Sequence, residues 1–129
     1  MEKIIEGSIG LLMDLIRTQS FSKEEDKTAQ IIDTYLQNHG VKTHRELNNV
    51  WAFNKYFDSS KPTILLNSHH DTVHPNRDYT RDPFNAEIID GKLFGLGSND
   101  AGGCLVSLIG TFLHYYDKQD LKYNFVIAA

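Results

Sequence analysis

Apolar residues recur at helical spacing from the start of the chain, at Ile4, Ile5, Ile9, Leu11, Leu12, Leu15 and Ile16. This pattern predicts a first helix over Glu2 to Thr18, weakened by Gly7 and Gly10. Ser22-Lys23-Glu24-Glu25 has the form of a capping box. It predicts a second helix presenting Ala29, Ile32, Tyr35 and Leu36, stopped at Gly40. Val41 to Arg45 and Val50 to Tyr56 read as strands around a turn at Leu47-Asn48-Asn49. Thr63 to Asn67 is a short apolar run, expected to be buried on both faces. Asp90-Gly91 between Ile88-Ile89 and Leu93-Phe94 is a strong hairpin signal. Cys104, Leu105, Leu108, Ile109, Phe112, Leu113 and Tyr116 predict a third helix, with Cys104 facing the core as a small apolar filler. Tyr123 to Ala128 is a further buried strand. Helices alternating with apolar strands imply an α/β fold, a mixed and largely parallel sheet covered by helices on both faces.

The length of 129 residues allows one domain or a piece of one. Thirteen basic against 17 acidic residues, with no basic run, argue against a nucleic-acid partner. No apolar stretch reaches membrane-spanning length, and the N-terminus lacks a signal peptide's layout. The single cysteine, Cys104, allows no intrachain disulfide. These features give a cytoplasmic expectation.

Two motifs carry the chemistry. His69-His70-Asp71 follows the strand Thr63 to Asn67, beyond its carboxyl end, where ligands collect in α/β sheets. If the extended conformation persists, His69 and Asp71 share a face and His70 points away. Asp71 is then placed to orient the His69 ring as a metal-binding histidine requires; His70 or His74 are the alternative ligands. The second motif is Gly95-Leu96-Gly97-Ser98-Asn99-Asp100-Ala101-Gly102-Gly103. A dinucleotide fingerprint needs glycine where Asp100 stands, and a phosphate loop needs a lysine that is absent between Lys92 and Lys118. A carboxylate held in a glycine-rich bend suits a cation instead.

Taken together, Asn67-Ser68-His69-His70-Asp71-Thr72-Val73, Asp82-Pro83-Phe84, Asp90 to Ser98 and Asp100-Ala101-Gly102-Gly103 resemble the co-catalytic zinc amidohydrolases. That family includes acetylornithine deacetylase, succinyl-diaminopimelate desuccinylase, aminoacylase and glutamate carboxypeptidases. The Ser-Asn-Asp-Ala-Gly-Gly form is most similar to acetylornithine deacetylases; many relatives carry Lys where Gly102 stands. The resemblance implies that His69 is a ligand of one zinc, Asp100 the carboxylate bridging two zincs, and Asp71 the group orienting His69. It also implies a cis peptide between Asp100 and Ala101, with cobalt as an alternative metal.

The same resemblance puts the general-base Glu, the remaining ligands and a smaller inserted domain beyond Ala129. Residues 1–129 are therefore expected to be the N-terminal part of a metal-dependent catalytic domain, inactive alone. The expected substrate of the whole enzyme is an N-acyl amino acid such as N-acetylornithine, in arginine biosynthesis. A desuccinylase, an aminoacylase or a dipeptidase are alternatives within the family. The resemblance also implies homodimerisation through the absent domain. A non-enzymatic module that keeps the fold and binds a partner through a sheet edge is the rival of a different class.

Overall fold

The computed structural model describes every residue from Met1 to Ala129. Helix α1 spans Glu2–Arg17 and buries Leu11, Leu12, Leu15 and Ile16 along one stripe. Helix α2 spans Asp26–Asn38 and buries Thr28, Ala29, Ile32 and Leu36. It ends in a Schellman arrangement: the Gly40 N–H donates to the Gln37 carbonyl and the Val41 N–H to the Leu36 carbonyl. Its start differs from expectation. Glu25 occupies the cap position without a side-chain hydrogen bond, so Ser22 does not cap the helix.

Strands β1 (Thr43–Glu46), β2 (Asn49–Phe53), β3 (Thr63–Asn67) and β6 (Asn124–Ala128) form one sheet in the order β1-β2-β6-β3. The sheet is mixed: β3 runs parallel to β6, whereas the β1–β2 and β2–β6 pairings are antiparallel. The short strands β4 (Glu87–Ile89) and β5 (Lys92–Phe94) form a separate hairpin. Its two turn residues, Asp90 and Gly91, both have positive φ, as a type I′ turn demands. Helix α3 spans Gly103–Tyr115 and buries Leu105, Val106, Ile109 and Phe112.

Register decides which face is dry. Ala52 on β2 and Leu66 on β3 both lie opposite Ile127 on β6. Val50, Ala52 and Ile127 join the buried residues of all three helices in a single core, with Leu66 packed against it. The opposite face carries Trp51, Phe53, Leu65 and Val126 and has no helix over it. Leu65 is 61% exposed and Phe53 39% exposed. The expectation that β3 is buried on both faces is therefore corrected: β3 is an edge strand, paired with β6 alone. Cys104 is likewise exposed, because it falls outside the stripe set by Leu105, Ile109 and Phe112. No helix is long and apolar enough to cross a membrane.

Parallel pairing gives β3 and β6 a common carboxyl end. There β3 hands the chain to Ser68, whose N–H donates to the Ala128 carbonyl. The hairpin returns the chain to the same region at Gly95, ahead of an irregular turn over Ser98–Gly102 that leads into α3.

Candidate metal centre

Beyond the end of β3 at Asn67, the side chains of His69 and Asp71 turn to one side and that of His70 to the other, the division that alternation predicts. The His69 Nδ1 lies 3.1 Å from Asp71 Oδ1 and 3.1 Å from the Asp71 carbonyl oxygen. His70 turns the other way, with Nε2 3.0 Å from the Asn48 carbonyl and Nδ1 2.8 Å from the Thr28 hydroxyl. Both of its nitrogens are occupied by protein, and His74 packs against Phe21 with ring centroids 3.8 Å apart and the rings tilted by 39°. His70 therefore offers no free nitrogen, and His74 is not among the residues bounding the hollow that holds His69 and Asp100.

The second motif brings Asp100 to the same place. Gly95 and Gly97 adopt φ of +146° and +78°, and the Gly102 N–H closes the bend by donating to the Gly97 carbonyl at 2.8 Å. The Asp100–Ala101 peptide is cis. The bend places Asp100 Oδ1 3.1 Å from His69 Nε2.

Hydrogen-bond accounting shows what this contact requires. The two Asp71 oxygens around Nδ1 are acceptors, which assigns the proton of a neutral His69 to Nδ1. Nε2 then carries a lone pair, and it faces a carboxylate oxygen. Two acceptors at that separation need a proton or a cation between them. Ligands about 2.0–2.2 Å from one tetrahedral zinc ion lie about 3.3–3.6 Å apart, so the donor pair at 3.1 Å is a few tenths of an ångström closer than a shared ion would set it and needs only a small opening to fit one. Asp71 behind the ring completes the carboxylate–histidine arrangement typical of such ligands. No group of three or more His, Cys, Asp or Glu side chains is arranged so that all could hold one metal ion: Asp71 sits behind the His69 ring, and only His69 Nε2 and Asp100 face each other.

The surroundings divide the roles. The Ser22 hydroxyl donates to Asp71 Oδ2. That hydrogen bond is the main influence holding the Asp71 carboxyl below its usual range, with His69 adding to it and burial opposing it. Burial pushes the His70 imidazole pKa down against the pull of the Asn48 carbonyl. The Asp100 side chain is 88% exposed. One hollow of about 290 Å³ is bounded by His69, Asp71, Tyr79, Gly97 and Asp100. Another of about 570 Å³ lies across the His69-Asp71 ridge, against Glu25, Asn48 and His70.

His69, Asp71 and Asp100, the three site residues expected from the sequence, lie together in the structure. Ser22, Thr28 and Asn48, which hold Asp71 and His70, are not marked as site residues by any motif. The capping-box pattern points the Ser22 hydroxyl to a helix cap, and nothing in local spacing couples it to Asp71, 49 positions away.

The fold is similar to that of solved peptidase structures. An M20 family metallo-carboxypeptidase from Sulfolobus solfataricus superposes with a TM-score of 0.76 at 22% identity, over 94% of this chain and 30% of that one. The di-peptidase Dug1p from Saccharomyces cerevisiae gives 0.72 at 20% identity, over 98% of this chain and 32% of that one. Residues 65–129 match the model of peptidase family M20/M25/M40, and the chain belongs to that family. Among curated relatives, succinyl-diaminopimelate desuccinylase 2 of Ruegeria sp. (strain TM1040) is 34% identical over 93% of this chain and 32% of its own length. Succinyl-diaminopimelate desuccinylase of Blochmanniella floridana is 27% identical over 98% of this chain and 35% of its own. The chain thus spans about a third of the length of these relatives.

Proposed function

We propose that these residues form the N-terminal part of the catalytic domain of a metal-dependent amide hydrolase acting on N-acylated amino acids. The observation that carries this reading is the His69 Nε2 to Asp100 Oδ1 approach of 3.1 Å, with the other nitrogen of the ring backed by Asp71. His69 and Asp100 would hold zinc, two ions in the complete enzyme, or cobalt in its place. When bound, such a metal supplies Lewis-acid polarisation of a carbonyl and activation of water. The chain's own residues have separate tasks. Asp71 keeps a proton on Nδ1 and so leaves Nε2 free to ligate. Asp100 projects from the glycine bend into solvent-accessible space, where a substrate can approach. The hollow beside Tyr79 adjoins both donors. The proton-accepting base, the remaining ligands and a smaller domain through which two copies pair are assigned to sequence after Ala129. The cytoplasm is the proposed compartment.

The acyl group favoured is succinyl. The Ser-Asn-Asp-Ala-Gly-Gly form suggests a deacetylase acting on N-acetylornithine, but the two curated relatives described above are named desuccinylases. A free amino acid and succinate would be the products. The test is a panel of N-succinyl-diaminopimelate, N-acetylornithine and unsubstituted dipeptides offered to the full-length protein loaded with zinc. The highest kcat/KM is expected on the succinyl substrate. Preference for the acetyl substrate restores the deacetylase reading, and hydrolysis of none of them overturns the enzymatic one.

A further inference from the structure

The segment between α1 and α2 is stitched to the metal loop by hydrogen bonds at Ser20 and Ser22, on either side of Phe21. The Ser20 hydroxyl donates to the His70 carbonyl at 3.0 Å. The Thr72 N–H donates to the Ser20 carbonyl at 2.8 Å, and the Ser22 N–H to the Thr72 carbonyl at 3.3 Å. Phe21 and Thr72 pair as a parallel bridge between these contacts. The backbone of Ser22 is therefore fixed against the metal loop independently of its side chain. From that position its hydroxyl reaches Asp71 Oδ2, while Asp71 Oδ1 lies 3.1 Å from His69 Nδ1, a nitrogen that also hydrogen-bonds the Asp71 carbonyl.

We propose that Ser22 is a positioning residue of the metal centre, acting through Asp71 on the orientation of the His69 ring. The proposal rests on the reading of His69 as a metal ligand. A carboxylate turns readily about its last torsion, and Asp71 has one oxygen on each of two partners. Holding Oδ2 stops that rotation and keeps Oδ1 on Nδ1, which aims Nε2 at Asp100. A serine serving only the local turn would contribute to folding and leave metal affinity untouched. Its side chain faces a carboxylate that backs a metal donor, so its loss is expected at the metal.

The experiment compares Ser22→Ala, Ser22→Thr and His69→Ala in the full-length protein. Zinc affinity is measured by competition with a chromophoric chelator, and thermal unfolding is followed on the metal-free forms. Ser22→Ala should weaken zinc binding about 10-fold, the lower end of what loss of a ligand's supporting partner costs. Its metal-free melting temperature should match the parent, and Ser22→Thr should restore affinity. In the zinc-saturated enzyme KM should hold while kcat falls. Parental zinc affinity in Ser22→Ala, with affinity lost in His69→Ala, overturns the role of Ser22 and leaves the ligand reading standing. Parental affinity in His69→Ala overturns both. An affinity loss that tracks a lowered melting temperature in the alanine variant and is not rescued by threonine makes Ser22 a folding residue and also overturns the proposal.

Discussion

His69 Nε2 and Asp100 Oδ1 lie 3.1 Å apart although 31 positions separate the two residues in the chain. The contact joins the end of β3 to a glycine-rich bend, and in the neutral ring it sets one acceptor against another. Asp100→Asn separates the two ways of satisfying that pair. The amide Nδ2 can donate to Nε2, so the metal-free variant should be at least as stable as the parent. The same substitution removes an anionic donor, and zinc affinity should fall by about 100-fold or more, beyond the loss expected from a supporting partner. Titration calorimetry and metal-free thermal unfolding on one preparation check both signs. Equal zinc affinity would remove Asp100 from the metal site.

The bend itself depends on missing side chains. At Gly95, with φ of +146°, an added Cβ would stand 2.3 Å from Cγ2 of buried Ile16. At Gly97, with φ of +78°, it would stand 2.7 Å from Cγ2 of Thr72. Gly95→Ala combines a strained backbone with overpacking and is expected to cost about 2–3 kcal/mol. Gly91 has φ of +74° and open space around it, so Gly91→Asn should change stability by less than about 0.5 kcal/mol. Urea unfolding of the two variants against the parent tests whether space or conformation dominates.

Much of this arrangement was legible in the sequence where one local rule sufficed. The Leu11-Leu12-Leu15-Ile16 stripe, the Asp90-Gly91 turn and the Gly40 stop each follow from short-range geometry. Where two rules competed, the local one lost. Ser22 fits a capping box, but pairing of its backbone with Thr72 pulls it away from α2 and towards Asp71. Thr63 to Asn67 reads as a strand buried on both faces, yet hydrophobicity does not specify whether a strand has one neighbour or two. Cys104 lies one residue before the helix stripe, and a turn of about 100° per residue is enough to expose it. The convergence of His69 with Asp100 came from family resemblance, because no spacing rule reaches across a hairpin and a bend.

His70 gives the metal-free fold a pH dependence of definite sign. Burial lowers its pKa, so the folded chain keeps the ring neutral where the unfolded chain, near 6.5, takes up a proton. Stability from this group is complete above about pH 6.5. It declines as pH falls from there towards the folded value and levels off below it. The slope cannot exceed one proton, about 1.4 kcal/mol per pH unit. Urea midpoints measured from pH 7.5 down to 5.5 should fall more steeply for the parent than for His70→Asn. Parallel curves would show that His70 titrates alike in both states.

Asn124 offers the sharpest test of a buried polar group. It is 1% exposed at the start of β6. Its Oδ1 accepts from the Asp58 N–H at 2.9 Å, and its Nδ2 donates to the carbonyls of Asp58 at 2.7 Å and Lys61 at 3.1 Å. The amide thus ties the loop before β3 to the central strand. Asn124→Ala removes the side-chain partner of these three backbone groups and should cost about 2–3 kcal/mol. Asn124→Asp should cost more at neutral pH, about 3–5 kcal/mol, because it aims a carboxylate oxygen at two carbonyls. Protonation would return one donor, so the aspartate variant should regain stability on acidification, opposite in sign to the effect at His70. Asn124 lies at the amino ends of β3 and β6, whereas His69 follows their carboxyl ends. Zinc affinity of the folded alanine variant should therefore match the parent. A shared loss of affinity would mean that the β3–β6 register, and not only the local hydrogen bonds at Asp71, sets the position of the His69 ring.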